Sequence, residues 1–203
     1  MDVNQEKEIE MTVCDQEALF DSAHAALVFA FNFAGEHYDR PMLTRMAYPS
    51  IGSSKGLAGL DGAAQSGMIR AEINALGNLA ENVLTARFAP SYYPCACRSA
   101  CCGGKKTNPE WINAIAWLSN HMRSTALFGT SADYRIRRTC VLRHFQAKEN
   151  RKSLDQMADA CGINRQTAGS YMSKVAKFIK VIESSAYSAI SDKLQDLNVV
   201  GKN

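Results

Sequence analysis

No apolar run in this sequence is long enough to cross a bilayer. The strongest, Ala23 to Ala34, carries Leu27, Val28, Phe29 and Phe31 but is short and interrupted by Asn32, whereas a spanning helix needs about 20 apolar residues. The N-terminus is acidic and has no apolar h-region, so no secretory signal is expected. The protein is predicted to be cytoplasmic, with no membrane partner. A phosphate loop is also missing: the glycine-containing stretch GLAGLDG at 56–62 is not the Walker pattern, nor does a strand precede it. The cysteines lack the H-x-E and C-x-x-C pattern of zinc deaminases, which argues against an enzyme.

What is present is enough apolar material for a core, and an uneven charge. Of 203 residues, 46% are hydrophobic, which fits one or two domains. The net charge of +3 hides an asymmetry. Residues 1–20 carry six acids against Lys7 alone, a net of −5. Residues 135–180 carry eleven Lys and Arg against Glu149, Asp155 and Asp159, a net of +8. A polyanion partner is expected on that C-terminal part.

The most informative stretch is Ser153 to Lys177, SLDQMADACGINRQTAGSYMSKVAK. Leu154, Met157, Ala158 and Cys161 recur at helical spacing. Ser153 and Gln156 have the spacing of a capping box, so a helix is predicted to begin there. Gly162 can take positive φ without steric cost and ends that helix. Asn164 caps a second helix, whose buried side is Ala168, Tyr171, Met172 and Val175. Small Ala158, the glycine corner and apolar Ile163 let the two helices cross closely. This pattern predicts a helix-turn-helix at 153–177, with looser packing at Ala168 because the motif usually carries a larger side chain there.

The outward positions at the start of the second helix are predicted to be Asn164, Arg165, Gln166, Thr167, Gly169, Ser170 and Ser173. Short polar groups and an arginine can reach base edges in a major groove. Lys174, Lys177 and Lys180 follow at one-turn spacing and can meet phosphates. Double-stranded DNA is therefore the expected partner. An ordinary helical hairpin with a polar face is the plainer alternative.

The rest of the chain reads as helical, giving an all-α class. Residues 1–14 form an acidic, loosely ordered arm. A helical N-terminal region follows over 15–93: a helix from Gln16 to Phe33, a short one within Asp39–Tyr48, a Gly/Ser loop at Pro49–Gly59, and a hairpin from about Leu60 to Leu76 and on to Phe88, broken at Gly77-Asn78. His24 and His37 lie in or near the first of these and are read as structural or solvated. Within the C-terminal region, 108–203, Asn108-Pro109-Glu110 opens a helix whose core side includes Trp111, Ile112, Ile115, Ala116, Leu118 and Met122. Thr130 with Asp133 is read as another box, opening a helix with Ile136, Cys140, Val141, Leu142 and Phe145 inside and Arg135, Arg137, Arg138 and Arg143 outside. Residues 179–197 extend or follow the last helix, available for a partner or for packing back.

Between the two regions lies a Cys-rich loop, 94–107, with Cys95, Cys97, Cys101 and Cys102. Thiolates are soft ligands for Zn²⁺, and four in one loop can close a tetrahedral shell, so a structural Zn²⁺ is expected. Adjacent Cys101 and Cys102 seldom both reach one ion; three cysteines with a distant ligand such as His121 are an alternative. Free thiols, a disulfide and an iron–sulfur cluster also stay open. Cys14, Cys140 and Cys161 are read as core residues.

The segment 141–179, VLRHFQAKENRKSLDQMADACGINRQTAGSYMSKVAKFI, resembles sigma-factor region 4 through Ser153, Ala158, Gly162 and Ile163. Its pairing with a cysteine-rich loop in a small helical protein resembles phage late-gene antitermination proteins of the Q type. That resemblance implies a regulator that binds DNA near a late promoter in the bacterial host cell, then loads on RNA polymerase so that it reads through terminators. It also implies base contacts from Asn164, Arg165, Gln166 and Ser170, and a zinc site in the loop. Competing readings are an adaptor that grips polymerase without reading bases, and a zinc-dependent nucleic-acid enzyme.

Overall fold

The computed structural model describes residues 18–38, 59–95, 97 and 103–201. The acidic stretch 1–14, the short helix expected within Asp39–Tyr48, the loop residues 49–58, and Cys14, Cys101 and Cys102 lie outside these. The fold is all-α, as the apolar periodicity predicts. Among the described residues there are seven α-helices and one two-stranded ribbon. None of those helices is long and apolar enough to cross a membrane.

Helix α1 spans Ala23–Tyr38, starting later than the predicted Gln16. A cap and a long-range pairing fix the start. Ser22 Oγ accepts from the backbone N–H of Ala25 at 3.2 Å and so caps the helix. Two residues earlier, Phe20 pairs with the chain's other end, donating to Val199 O at 3.0 Å and accepting from Gly201 at 3.4 Å. The predicted hairpin follows as α2 (Gly59–Ala75) and α3 (Asn78–Phe88), with Gly77 at φ +92 making the corner.

After α3 the chain forms an antiparallel ribbon, β1 (Tyr92–Pro94) and β2 (Lys105–Thr107), in the register Tyr92 to Thr107, Tyr93 to Lys106 and Pro94 to Lys105. Helix α4 (Pro109–His121) begins at Asn108, whose side chain accepts from Glu110 N at 3.0 Å and donates to Pro90 O at 2.8 Å. Helix α5 (Tyr134–Phe145) is capped by Asp133. Thr130 takes no part in a box; its hydroxyl donates to Leu127 O at 2.7 Å. Helices α6 (Leu154–Cys161) and α7 (Arg165–Asp196) complete the chain.

Helix α7 has 32 residues, about 48 Å at 1.5 Å per residue, and both halves of the core are built on it. Its first part buries Ala168, Tyr171, Val175 and Ile179 with Val83, Ile115, Leu118, Val141 and Met157. Its last part buries Ala186, Ile190 and Leu194 with Leu27, Phe31, Ile69 and Ile73. Each fully buried side chain of this size contributes about 1.5–3 kcal/mol over its exposed state. So residues 179–196 continue the helix and pack back on α1 and α2. The exposed beginning of α7 is thereby held by a rod anchored along most of its length.

Candidate nucleic-acid interface

The corner at 161–164 is set by backbone chemistry that the residue types dictate. Ser153 Oγ accepts from Gln156 N at 3.1 Å, and Gln156 Oε1 accepts from Ser153 N at 2.9 Å. This is the reciprocal box, which satisfies two of the amide groups left over at a helix start. At the other end Gly162 has φ 65 and ψ 35. The N–H of Ile163 reaches Ala158 O at 3.0 Å, and that of Gly162 reaches Asp159 O at 3.2 Å, the pair of bonds that closes a helix through a left-handed residue. Asn164 Oδ1 then accepts from Gln166 N at 2.7 Å and starts α7.

That start presents one polar face. Asn164, Arg165, Gln166, Ser170, Ser173, Lys174 and Lys177 are exposed, with Thr167 partly so. Ala168, Tyr171 and Val175 turn inward. Ala168 is fully buried in the core cluster that α7 shares with Met157, Ala158 and Cys161 of α6. Gly169 is partly buried; a Cβ built on it would sit 3.5 Å from Leu154 Cδ2 of α6, an ordinary contact distance. No acid of α7 lies in its own first turn, although the Asp155 carboxylate of α6 reaches Arg165 there; the partial positive charge of such a helix start favours an anion.

The basic residues divide by what they touch. Arg165 Nε lies 2.8 Å from Asp155 Oδ1 across the corner, with both side chains well exposed. Arg137, predicted on the outer side of α5, is 8% exposed. It donates to Ser119 O at 3.0 Å and Ala132 O at 2.6 Å, tying the last turn of α4 and the segment before α5 to α5. Arg151 donates to Gln146 O at 2.8 Å and to His144 O at 3.3 Å, fixing the link into α6. Lys174, Lys177 and Lys180 run along the exposed side of α7.

The Cys-rich segment sits on the ribbon. Cys95 N donates to Gly104 O at 2.8 Å, and Gly103 (φ 55) and Gly104 (φ 76) are both left-handed. Cys97 is exposed, while Cys101 and Cys102 are outside the described residues. Among the described residues no three of His, Cys, Asp and Glu come together as a metal site. His121 closes the far end of α4, roughly 20 Å along the helix from the ribbon, with its ring stacked on Trp117 at 5.0 Å. Glu110, the carboxylate nearest the loop in sequence, is held by both Nη atoms of Arg70, at 2.6 and 3.2 Å.

Two further titratable sites are buried or bridged. Glu183 meets Arg87 at 3.1 Å and His144 at 3.3 Å, joining α3, α5 and α7. The hydrogen bond with His144 holds its carboxyl below the ordinary value; burial opposes this, and the charges of Arg87 and His144 add to the lowering. The Cys140 thiol is pushed up to about 12, first by burial and then by neighbouring Cys161. As predicted, Cys140 and Cys161 are core residues.

The ribbon and the Glu183 bridge escape the periodicity argument. Tyr-Tyr-Pro and Lys-Lys-Thr, on either side of a ten-residue stretch that ends in Gly103-Gly104, are the signal for the ribbon; the bridge joins residues distant in sequence and leaves none. Compared with known protein families and with curated proteins, the chain matches none.

Proposed function

We propose that this protein is a sequence-specific DNA-binding regulator of transcription, acting in the bacterial cytoplasm as a phage-type antiterminator on RNA polymerase. The observation that carries the reading is the corner at Gly162. Two helices cross through a capped, left-handed turn, and the second opens with exposed Asn164, Arg165, Gln166 and Ser170. These side chains are the ones to enter a major groove, with Thr167 and Ser173 beside them and Lys174 and Lys177 on phosphates.

We extend the proposal to a structural Zn²⁺ held by Cys95, Cys97, Cys101 and Cys102. Support comes from the ribbon, which brings Pro94 opposite Lys105 and confines all four cysteines to the loop between. Such an ion would order a loop that has little to bury. The protein carries no catalytic role in this reading.

The test is transcription past a terminator by RNA polymerase on phage late-promoter templates, with and without the full chain. Readthrough that requires the protein, and is lost with Arg165→Ala, is expected. Readthrough unaffected by that variant favours the adaptor reading, in which polymerase is gripped without base contacts.

A further inference from the structure

A groove of about 830 Å³ runs between the ribbon and α5. One wall is a single face of the ribbon: Tyr92 and Thr107 are directly opposite in register, with Lys105 diagonal to Tyr92. The other wall is the stripe Arg138, Leu142 and Phe145 at one-turn spacing along α5. Trp111 and Ile112 of α4 form the floor with Ala86 and Ala89. The indole is fixed there, since its Nε1 donates to Ala86 O at 3.1 Å.

The groove's chemistry is one-sided. Trp111, Ile112, Leu142 and Phe145 are all partly buried, with part of each side chain open to it. Among its described lining residues the charged side chains are Arg87, Lys105 and Arg138, all cationic. Arg87 shares its charge with Glu183; Lys105 and Arg138 have no described acid paired with them.

We propose that this groove docks an acidic amphipathic segment of a partner protein. Its apolar side chains would lie on Trp111, Ile112, Leu142 and Phe145, and its carboxylates would meet Lys105, Arg138 and the free edge of Arg87. A volume in this range suits a few apolar side chains of a peptide. A nucleic-acid strand fits less well: successive bases need successive exposed ring faces, and of the rings here Tyr92 alone is mostly exposed. The proposal stands apart from the DNA reading, because its residues are not those of the first turns of α7.

The experiment uses the full chain and three fluorescent probes: a short synthetic peptide with Leu and Phe at helical spacing among Glu and Asp, the same peptide with Lys for each acid, and oligothymidine. The acidic peptide alone is expected to bind. The double variant Lys105→Glu, Arg138→Glu should weaken it roughly tenfold or more, while Arg123→Glu, exposed beyond the far end of α4, leaves it unchanged. Lys105→Gln with Arg138→Gln provides a milder pair if charge reversal disturbs folding, checked by circular dichroism. Failure of the acidic peptide to bind, or binding indifferent to both pairs, overturns the proposal. So does oligothymidine binding that the same variants abolish, or a dimer in sedimentation that they dissociate, since a strand or a second copy would then be the occupant.

Discussion

Arg165 and Asp155 meet across the helical corner, Nε to Oδ1 at 2.8 Å, with the side chains 69% and 62% exposed. The arginine expected to read a base is therefore already engaged by a carboxylate from α6. An exposed pair of this kind is worth at most about 1 kcal/mol to stability. It nevertheless sets a carboxylate beside the place where phosphates would lie.

Removing that acid should release the arginine. Asp155→Ala is expected to raise affinity for duplex DNA severalfold at low salt, with the gain shrinking as salt rises. Stability should change by no more than about 1 kcal/mol, from the lost pair and the lost acid at the start of α6. Anisotropy titrations across a salt series check this; an unchanged or lower affinity at low salt would count against an interface at this face.

The corner itself depends on one left-handed residue. Nothing lies within 4 Å of a Cβ built on Gly162, so replacing it carries a backbone cost without a clash. Gly162→Ala should destabilise the protein by about 1–2 kcal/mol, and Gly162→Asn by less, since asparagine tolerates this region. Urea midpoints for the two variants measure the difference. Equal losses would mean that the side chain, and not the backbone angle, decides.

Glu183 links acid stability to a named contact. Its folded carboxyl lies below the ordinary value of 4.5, so its contribution is fully present above about pH 4.5 and is lost as pH falls through the lowered folded value. Stability measured by urea unfolding should drop with acid over that window, and Glu183→Gln should flatten the slope. A slope unchanged by the variant would assign the acid sensitivity elsewhere.

Thiol labelling separates the cysteines. With its pKa near 12 and no exposure, Cys140 should resist alkylation at pH 8 in the native protein and react once unfolded. If the loop holds zinc, the native protein should contain one equivalent of the metal by elemental analysis. Chelation should then make Cys95, Cys97, Cys101 and Cys102 alkylate faster. Rapid labelling of all four without a chelator contradicts the metal.

Much of the fold was legible because its signals are local. The serine-glutamine box, the glycine corner, the Asn108-Pro109 start and the Gly77 break each act within a turn of themselves, and each stands where the residue types put it. Arg137 was not legible. Along α5 it shares its residue type with exposed Arg135, and the carbonyls of Ser119 in α4 and of Ala132 just before α5 make burial favourable. The same holds for the start of α1, decided by pairing with the distant Val199–Gly201.

The central claim is that the first turns of α7 read base pairs. Selection of binding sites from a randomised duplex library, using the full chain, tests it most directly. A recurring sequence should be enriched, and Arg165→Ala or Gln166→Ala should erase preference at individual positions while leaving nonspecific, salt-sensitive binding largely intact. Enrichment of no sequence, or of the same sequence by the variants as by the parent, would contradict it.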